Sequence, residues 1–299
     1  MNGVSNIELA VAVANAGAMA SLFLSTSLDN FIDALTTNIK IFKDRTNTEN
    51  IVVCVPLAIL RSDEAVKKII DLNIKFIEPF PTSMDTITNM FSRGDDNMNS
   101  SDFIGSEWTD PIILHNVSML KDHGVKTLYR VIWDNQPVPD VISALCLKGD
   151  ESAGLRSSKS VKARFLEFST GKIPLIPYGG ISGPADVSYY LANGAVAVAS
   201  GTLFAACKES PLSIETKNKM VYSTAKDLTL FKDSKQRALV FKEEIRQPMD
   251  LNSHDSLAKG IAGTGGHIYA GTSIDGVTEI RTAKQVVDYL VSDIVASKY

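Results

Sequence analysis

KIPLIPYGGISGPADVSYYLANGAVAVASGTLFAACKES, residues 172–210, carries two short apolar runs, 173–177 and 195–200, and each run leads into glycine. Between them, 184–192 has helical spacing and opens with proline, which suits a first helical turn because its missing N–H has no partner there. Strand, glycine turn, helix, strand, glycine turn is the order of two successive βα units of a parallel sheet. Ligands of parallel α/β barrels sit at the carboxyl ends of the strands, and their phosphates are often held after the seventh and eighth strands. Glycine lets a backbone N–H approach a phosphate with no side chain in the way, and a helix start adds a favourable dipole. Gly179 and Gly180 close the first run; Gly201 and Thr202 close the second. Either pair alone reads as an ordinary turn. Together, one helix plus one strand apart, they read as a phosphate site.

The same alternation runs upstream. Further strands are expected at 18–24, 51–56, 74–78, 126–133 and 141–147, with helices at 6–16, 28–43, 63–72, 117–123 and 160–169. Ser5 with Glu8 three residues on predicts a capping box at the first helix, and Ser62 predicts a cap before Asp63. Seven strands are one short of a (β/α)8 barrel, and the chain opens directly on the loop into its first helix. The expected fold is therefore α/β, a TIM (β/α)8-type barrel lacking its first strand. Such a gap leaves edge backbone groups unpaired, so closure by another segment or association into a homo- or hetero-oligomer is expected.

Composition narrows the function classes. The 299 residues are 44% hydrophobic with mean hydropathy +0.05, enough for a large core in one domain or two modest ones. A net charge of −4 and a pI near 5.6 provide no basic field for nucleic acid, so a small-molecule or protein partner is favoured. Cys54, Cys146 and Cys207 are odd in number, widely spaced and set in apolar runs, which reads as reduced core cysteines rather than a disulfide frame or a metal site. No segment reaches the ~18 uninterrupted apolar residues of a membrane span, and no basic leader precedes an apolar run, so a cytoplasmic location is expected. The glycine spacing of GGISG is not a dinucleotide fingerprint, and Walker, zinc-protease and serine-elbow motifs are absent.

The stretch 173–211 resembles the nitronate monooxygenase family, formerly 2-nitropropane dioxygenases, and the related FMN-dependent enoyl reductases. MNGVSNIELAVAVANAGAMASLFLS at 1–25 is similar to the family's start after its first strand, and SPLSIETKNKMV, DSKQRALVFKEE and YAGTSIDGVTEIRTAKQVVDYLV are similar, in order, to the segments after its barrel. The resemblance implies non-covalent FMN in a barrel at 1–208, a small helical covering segment at 209–275 and a C-terminal helix, 276–299, packed on the barrel. It implies that Gly179, Gly180, Gly201 and Thr202 hold the FMN phosphate and that Met1 lies near the flavin. Lys148 stands where the family often has Gln at a strand end, and it reads either as a contact to the flavin ring or ribityl chain or as a solvated lysine at the barrel top.

The chain also departs from the family. GDESAGL, 149–155, places Leu155 where the family carries a proton-handling His, and leucine moves no proton. Little nitronate oxidation and a flavin hydride transfer are therefore expected, with no catalytic residue assigned. His115, His123, His254 and His267 read as surface or structural histidines, with His267 in GTGGHIYAGT the strongest catalytic candidate, since the family's covering segment lies there. Glu78 and Glu151 fall at the barrel's functional end, as acid or base or as salt-bridge partners of Lys148 or Arg130. The polar loop 92–108 reads as a lid, a partner surface or a surface insertion, and Trp108 at its end suggests docking. Two functions remain: an FMN-dependent oxidoreductase acting on a small molecule, or a catalytically inactive barrel serving as a binding or structural subunit.

Overall fold

The computed structural model describes residues 4–24, 29–80, 108–132, 136–154, 156–231, 238–242 and 254–296. In chain order its elements are α1 (Ile7–Asn15), β1 (Ala20–Phe23), α2 (Phe31–Arg45), β2 (Ile51–Pro56), α3 (Asp63–Asp71), β3 (Phe76–Phe80), α4 (Pro111–Asp122), β4 (Lys126–Val131), β5 (Ala144–Lys148), α5 (Val161–Phe168), β6 (Leu175–Tyr178) and α6 (Pro184–Ala192). They continue with α7 (Thr202–Ala205), α8 (Ile214–Val221), β7 (Leu228–Phe231), β8 (Ala238–Phe241), α9 (His254–Ala262), α10 (Ala283–Leu290) and α11 (Ser292–Ala296).

Strands β1 to β6 pair in sequence order, all parallel, in one curled sheet with helices outside, an α/β, TIM-barrel-like arrangement. The expected seventh strand is reduced to one parallel bridge, Tyr178 to Ala199. Val196 N–H donates to Leu175 O at 3.0 Å and Ala199 N–H to Pro177 O at 2.9 Å. Three residue steps on one side thus oppose two on the other, a bulge-like slip that prevents a regular ladder. At the opposite edge, Phe23 N–H leaves the β2 side and donates to Ser5 O at 2.8 Å. Among the described residues no strand lies between β1 and the 196–199 segment.

Cap chemistry sets most helix starts. Ser62 and Ser160 accept the N–H groups of Ala65 and Ala163, and Asp110 accepts that of Ile112 ahead of a proline. The Ser5 capping box does not form. Asn6 caps α1 instead, accepting from Leu9 N–H at 3.0 Å, and Glu8 turns outward to a two-pronged pair with Arg45. The main apolar core lies between sheet and helices, with Val53, Val55, Ile77, Val131, Leu145 and Leu147 on the outer sheet face. Period-two alternation sends Val52, Leu128, Ala144 and Cys146 into the barrel, where they form a smaller cluster.

The segment expected to be helical after the barrel also contains a sheet. Between α8 and α9, β7 and β8 pair antiparallel, burying Leu228, Leu239, Val240 and Phe241. In the C-terminal part, α10 packs against α1 and also meets α6 and α7.

Candidate functional site

The two glycine turns lie side by side at the carboxyl end of the sheet. Gly179 N–H points to Ala199 O at 3.5 Å, and Ser200 Oγ donates to Ile181 O at 3.1 Å. Gly179 and Gly180 both have positive φ, +103° and +71°, where a side chain is strained. Their constraints differ. A Cβ on Gly179 would lie 2.1 Å from Ser152 Oγ and 2.8 Å from Ser152 Cα, whereas one on Gly180 would meet Glu151 Cβ at 3.0 Å.

The amides around the cradle divide into engaged and open groups. Asp186 takes the N–H groups of Ser182 and Gly183 at 2.8 and 3.2 Å, so the start of α6 already holds an anion. Among the described residues the N–H groups of Gly180, Gly201 and Thr202 reach no protein acceptor. Thr202 turns its buried hydroxyl inward, accepting Gly271 N–H at 3.0 Å, so its backbone rather than its side chain faces the cradle. With four residues α7 is too short to add much dipole, and the open backbone N–H groups remain the polar feature.

Loop 149–154 is clamped between the glycine turns and the later chain. Ser152 Oγ donates to Tyr178 O at 2.7 Å, Glu151 accepts Val161 N–H at 2.8 Å, and Thr272 N–H donates to Glu151 O at 3.0 Å. Gly271 fits here because a Cβ would lie 2.5 Å from Glu151 O. Thus the 271–276 turn covers the carboxyl end of the barrel. Ser152 and Gly271 escape a reading of the sequence, since only the folded loop brings them to the cradle.

Below the turns the barrel interior is polar. Glu78, 1% exposed, accepts Arg130 Nε–H at 2.7 Å and a second Arg130 N–H, while Tyr178 OH donates to its other oxygen at 3.3 Å. The Arg130 guanidinium lies 5.9 Å from the Tyr178 ring centre. Burial pulls the guanidinium pKa down, but the Glu78 carboxylate outweighs it and the net shift is upward. Burial, reinforced by Glu78, raises the Tyr178 phenol and the Cys54 and Cys146 thiols. Of the alternatives left open for Glu78, the structure selects the pair with Arg130. Lys148, the last residue of β5, is 8% exposed and donates through Nζ to Ala153 O at 3.0 Å. Burial, then Arg130, lowers its amine to about 7 against the opposing pull of Glu78.

Gly179, Gly180, Gly201 and Thr202 therefore meet in one cradle, with Lys148 at the end of β5, the strand paired with β6. Met1, Leu155 and most of loop 92–108 lie outside the described residues. Trp108 is buried edge-on against Tyr129 at 5.1 Å, docked on its own barrel. His267 is fully buried, its Nδ1 2.9 Å from Ser256 Oγ and its ring against Tyr269, a packed position between α9 and the 271–276 turn. His115 and His123 sit exposed at α4, on the helical layer.

A model of the nitronate monooxygenase family matches residues 143–293, from the start of β5 to α11. The chain belongs to the nitronate monooxygenase family. The match takes in Lys148, both glycine turns and the 271–276 turn. Among solved structures, FabK from Thermotoga maritima is similar over 100% of this chain and 92% of its own, with TM-score 0.74 and 20% identity. Nitroalkane oxidase from Streptomyces ansochromogenes is similar over 99% and 94%, with TM-score 0.73 and 17% identity. The enoyl reductase domain of MlnA from Bacillus amyloliquefaciens follows over 100% and 95%, with TM-score 0.63 and 9% identity. At these identities the likeness establishes the fold. No curated protein sequence matches. Among the described residues no helix is long and apolar enough to cross a membrane.

Proposed function

We propose that this member of the nitronate monooxygenase family is an FMN-dependent oxidoreductase acting on a small molecule at the carboxyl end of its barrel. The observation that carries the reading is the cradle, where the open N–H groups of Gly180, Gly201 and Thr202 supply donors for a phosphate. Those donors fit the phosphate of FMN, and the polar mouth beside them fits its ribityl chain. Bound FMN supplies hydride chemistry; the chain supplies orientation and electrostatics. Gly179, Gly180, Gly201 and Thr202 would hold the phosphate and Lys148 would contact the flavin ring or ribityl chain; the family resemblance also implies Met1, outside the described residues, as a flavin contact. Residues 1–208 act as the barrel, 209–275 as its cover and 276–299 as the closing segment.

A second reading rests on the open edge of β1, where Ser5 O alone meets the outward N–H of Phe23 among the described residues. In that reading the first strand is missing, the protein is a binding or structural subunit without catalysis, and a further strand completes its sheet. Leu155, unable to move a proton, favours it. The purified protein decides between the two. Flavin absorbance with FMN released on denaturation is expected for the oxidoreductase; a colourless protein that FMN does not restore overturns it. A cytoplasmic location is part of the same proposal, tested by fractionation of the source cells.

A further inference from the structure

We infer that anion binding at the cradle is linked to a proton: a phosphate seated on the open N–H groups of Gly180, Gly201 and Thr202 is accompanied by a proton on the carboxyl of Glu151. The inference rests on the cradle being a phosphate site, as proposed above, and does not require that the phosphate be that of FMN.

Geometry comes first. A Cβ built on Gly180 would meet Glu151 Cβ at 3.0 Å, Cγ at 3.2 Å and Cδ at 3.7 Å, so this acidic side chain runs along the turn whose N–H is open to the anion. Both its ends are fixed. Its backbone oxygen accepts Thr272 N–H at 3.0 Å, and Oε2 accepts Val161 N–H at 2.8 Å. An ionised Glu151 held in this way stays beside an arriving phosphate. Like charges brought together disfavour ionisation, and the carboxyl relieves the conflict by taking a proton from solvent. Once neutral it still accepts Val161 N–H through its carbonyl oxygen, and its O–H becomes a donor.

The cations on the neighbouring elements are engaged elsewhere. At the end of β5 Lys148 donates to Ala153 O, and ahead of α5 Lys159 pairs with Glu167. On α5, Lys162 lies over the Tyr189 ring, and Arg164 turns to Ser157 Oγ and Ile132 O. The acids and phenols offer no relief. Asp150 adjoins Glu151 in its own loop, Asp186 on α6 is held by the N–H groups of Ser182 and Gly183, and Asp275 in the 271–276 turn accepts Ala225 N–H. Tyr178 on β6 donates to Glu78, and the Tyr190 phenol on α6 is pushed up by burial and then by Glu151. Burial raises the Glu151 carboxyl against the opposing hydrogen bond from Val161, and Asp150 adds to the rise.

The sign follows from linkage. Below the Glu151 midpoint of the free protein the carboxyl already carries its proton, and binding takes up none. Above the midpoint of the complex it stays ionised and repels the anion. Between the two, protons are taken up on binding and affinity falls as pH rises. The whole fall should be roughly tenfold, the scale of one unit charge facing another in a partly buried site.

Two measurements test the inference. Carboxyl 13C NMR of glutamate-labelled, ligand-free protein follows Glu151, assigned by the resonance missing from Glu151→Gln and, as a second variant, from Glu151→Asp. Its midpoint should lie above that of exposed glutamates and rise by about one pH unit when FMN or saturating inorganic phosphate is bound. Isothermal titration calorimetry of FMN in two buffers of different ionisation enthalpy then counts protons. Wild type should take up more than Glu151→Gln, in which only the ligand phosphate titrates, and Asp150→Asn should keep the wild-type excess. Above the window Glu151→Gln should bind FMN about tenfold tighter than wild type. A Glu151 midpoint unmoved by bound ligand, equal proton uptake by wild type and Glu151→Gln, or loss of the excess in Asp150→Asn with Glu151→Gln unchanged overturns the inference. FMN that fails to bind while phosphate still moves the midpoint removes the flavin and leaves the proton linkage. FMN that binds with the midpoint unmoved removes the linkage alone, and failure of both ligands to bind removes the cradle and the linkage together.

Discussion

Arg130 donates to Glu78 through Nε at 2.7 Å inside the barrel, where a carboxylate and a guanidinium replace the branched apolar side chains that usually fill such interiors. Glu78 is the fully buried member, 1% exposed, while the Arg130 side chain keeps 28% of its surface. We expect Arg130→Met to cost about 3–5 kcal/mol in urea unfolding, because it strands the Glu78 carboxylate away from water, and Glu78→Gln to cost less, because water still reaches Arg130. The double variant Glu78→Met, Arg130→Met should lie closer to wild type than either single change. Equal losses in single and double variants would count against a charge-pairing role.

The two glycine turns should respond differently to substitution. Gly201 has negative φ and is exposed, so Gly201→Val should leave the melting temperature nearly unchanged while abolishing FMN retention by blocking the cradle. Gly179→Ala forces a methyl group against Ser152 at positive φ, and a loss of about 1–3 kcal/mol is expected. Gly180→Val combines both faults, positive φ and the close approach of Glu151. Thermal melts and released-flavin absorbance separate the effects; full flavin content in folded Gly201→Val would refute the phosphate assignment.

Lys148 ties stability to pH in a defined direction. Its amine titrates near pH 7 in the fold and near 10.4 in the unfolded chain. Between these values the unfolded state binds more protons, so the Lys148 contribution to stability rises as pH increases from about 7 to about 10. Below pH 7 both states are protonated and the full burial penalty applies. The stability of wild type relative to Lys148→Met should therefore climb across that window, by at most about 4–5 kcal/mol. Denaturant midpoints at pH 6.5 and 9.5 for both proteins measure it, and a flat difference would remove the buried ammonium as its cause.

The edge of β1 bears on assembly. Each buried backbone group without a partner costs about 1–3 kcal/mol, and the outward groups of β1 face no strand among the described residues. We expect the protein to associate through this edge with a copy of itself or another chain. Size-exclusion chromatography with light scattering tests this: a stable monomer of 32.4 kDa would refute association and point to closure by a segment of the same chain.

Where local chemistry decides, the sequence was readable. Pro184 in the first turn and the helical spacing of Val187 and Tyr190 place α6 at its expected bounds, and Ser62 caps the helix it precedes. Gly179 and Gly180 likewise mark a tight turn, since positive φ and close approach are properties of single positions. Long-range packing was less legible. Asn6 rather than Ser5 caps α1 by accepting Leu9 N–H, and Glu8 pairs instead with Arg45, 37 residues away. The slip at 196–199 depends on β6, and the Glu78–Arg130–Tyr178 network joins three strands by contacts that no local spacing encodes. Thr202 was readable as the residue closing the second glycine turn, but the inward turn of its hydroxyl follows from Gly271, 69 residues on.

The three cysteines make the protein its own stopwatch for opening. Cys54 and Cys146 face the barrel interior and Cys207 lies beside α7, all buried as thiols whose pKa burial has raised. Thiolates are the reactive species, so a disulfide reagent at neutral pH should find almost nothing to attack in the native protein and three sites in the denatured one. The rate of modification under native conditions then counts openings rather than surface reactivity. Mass-resolved labelling distinguishes an excursion that frees Cys207 beside α7 from one that splits the sheet and exposes Cys54 with Cys146.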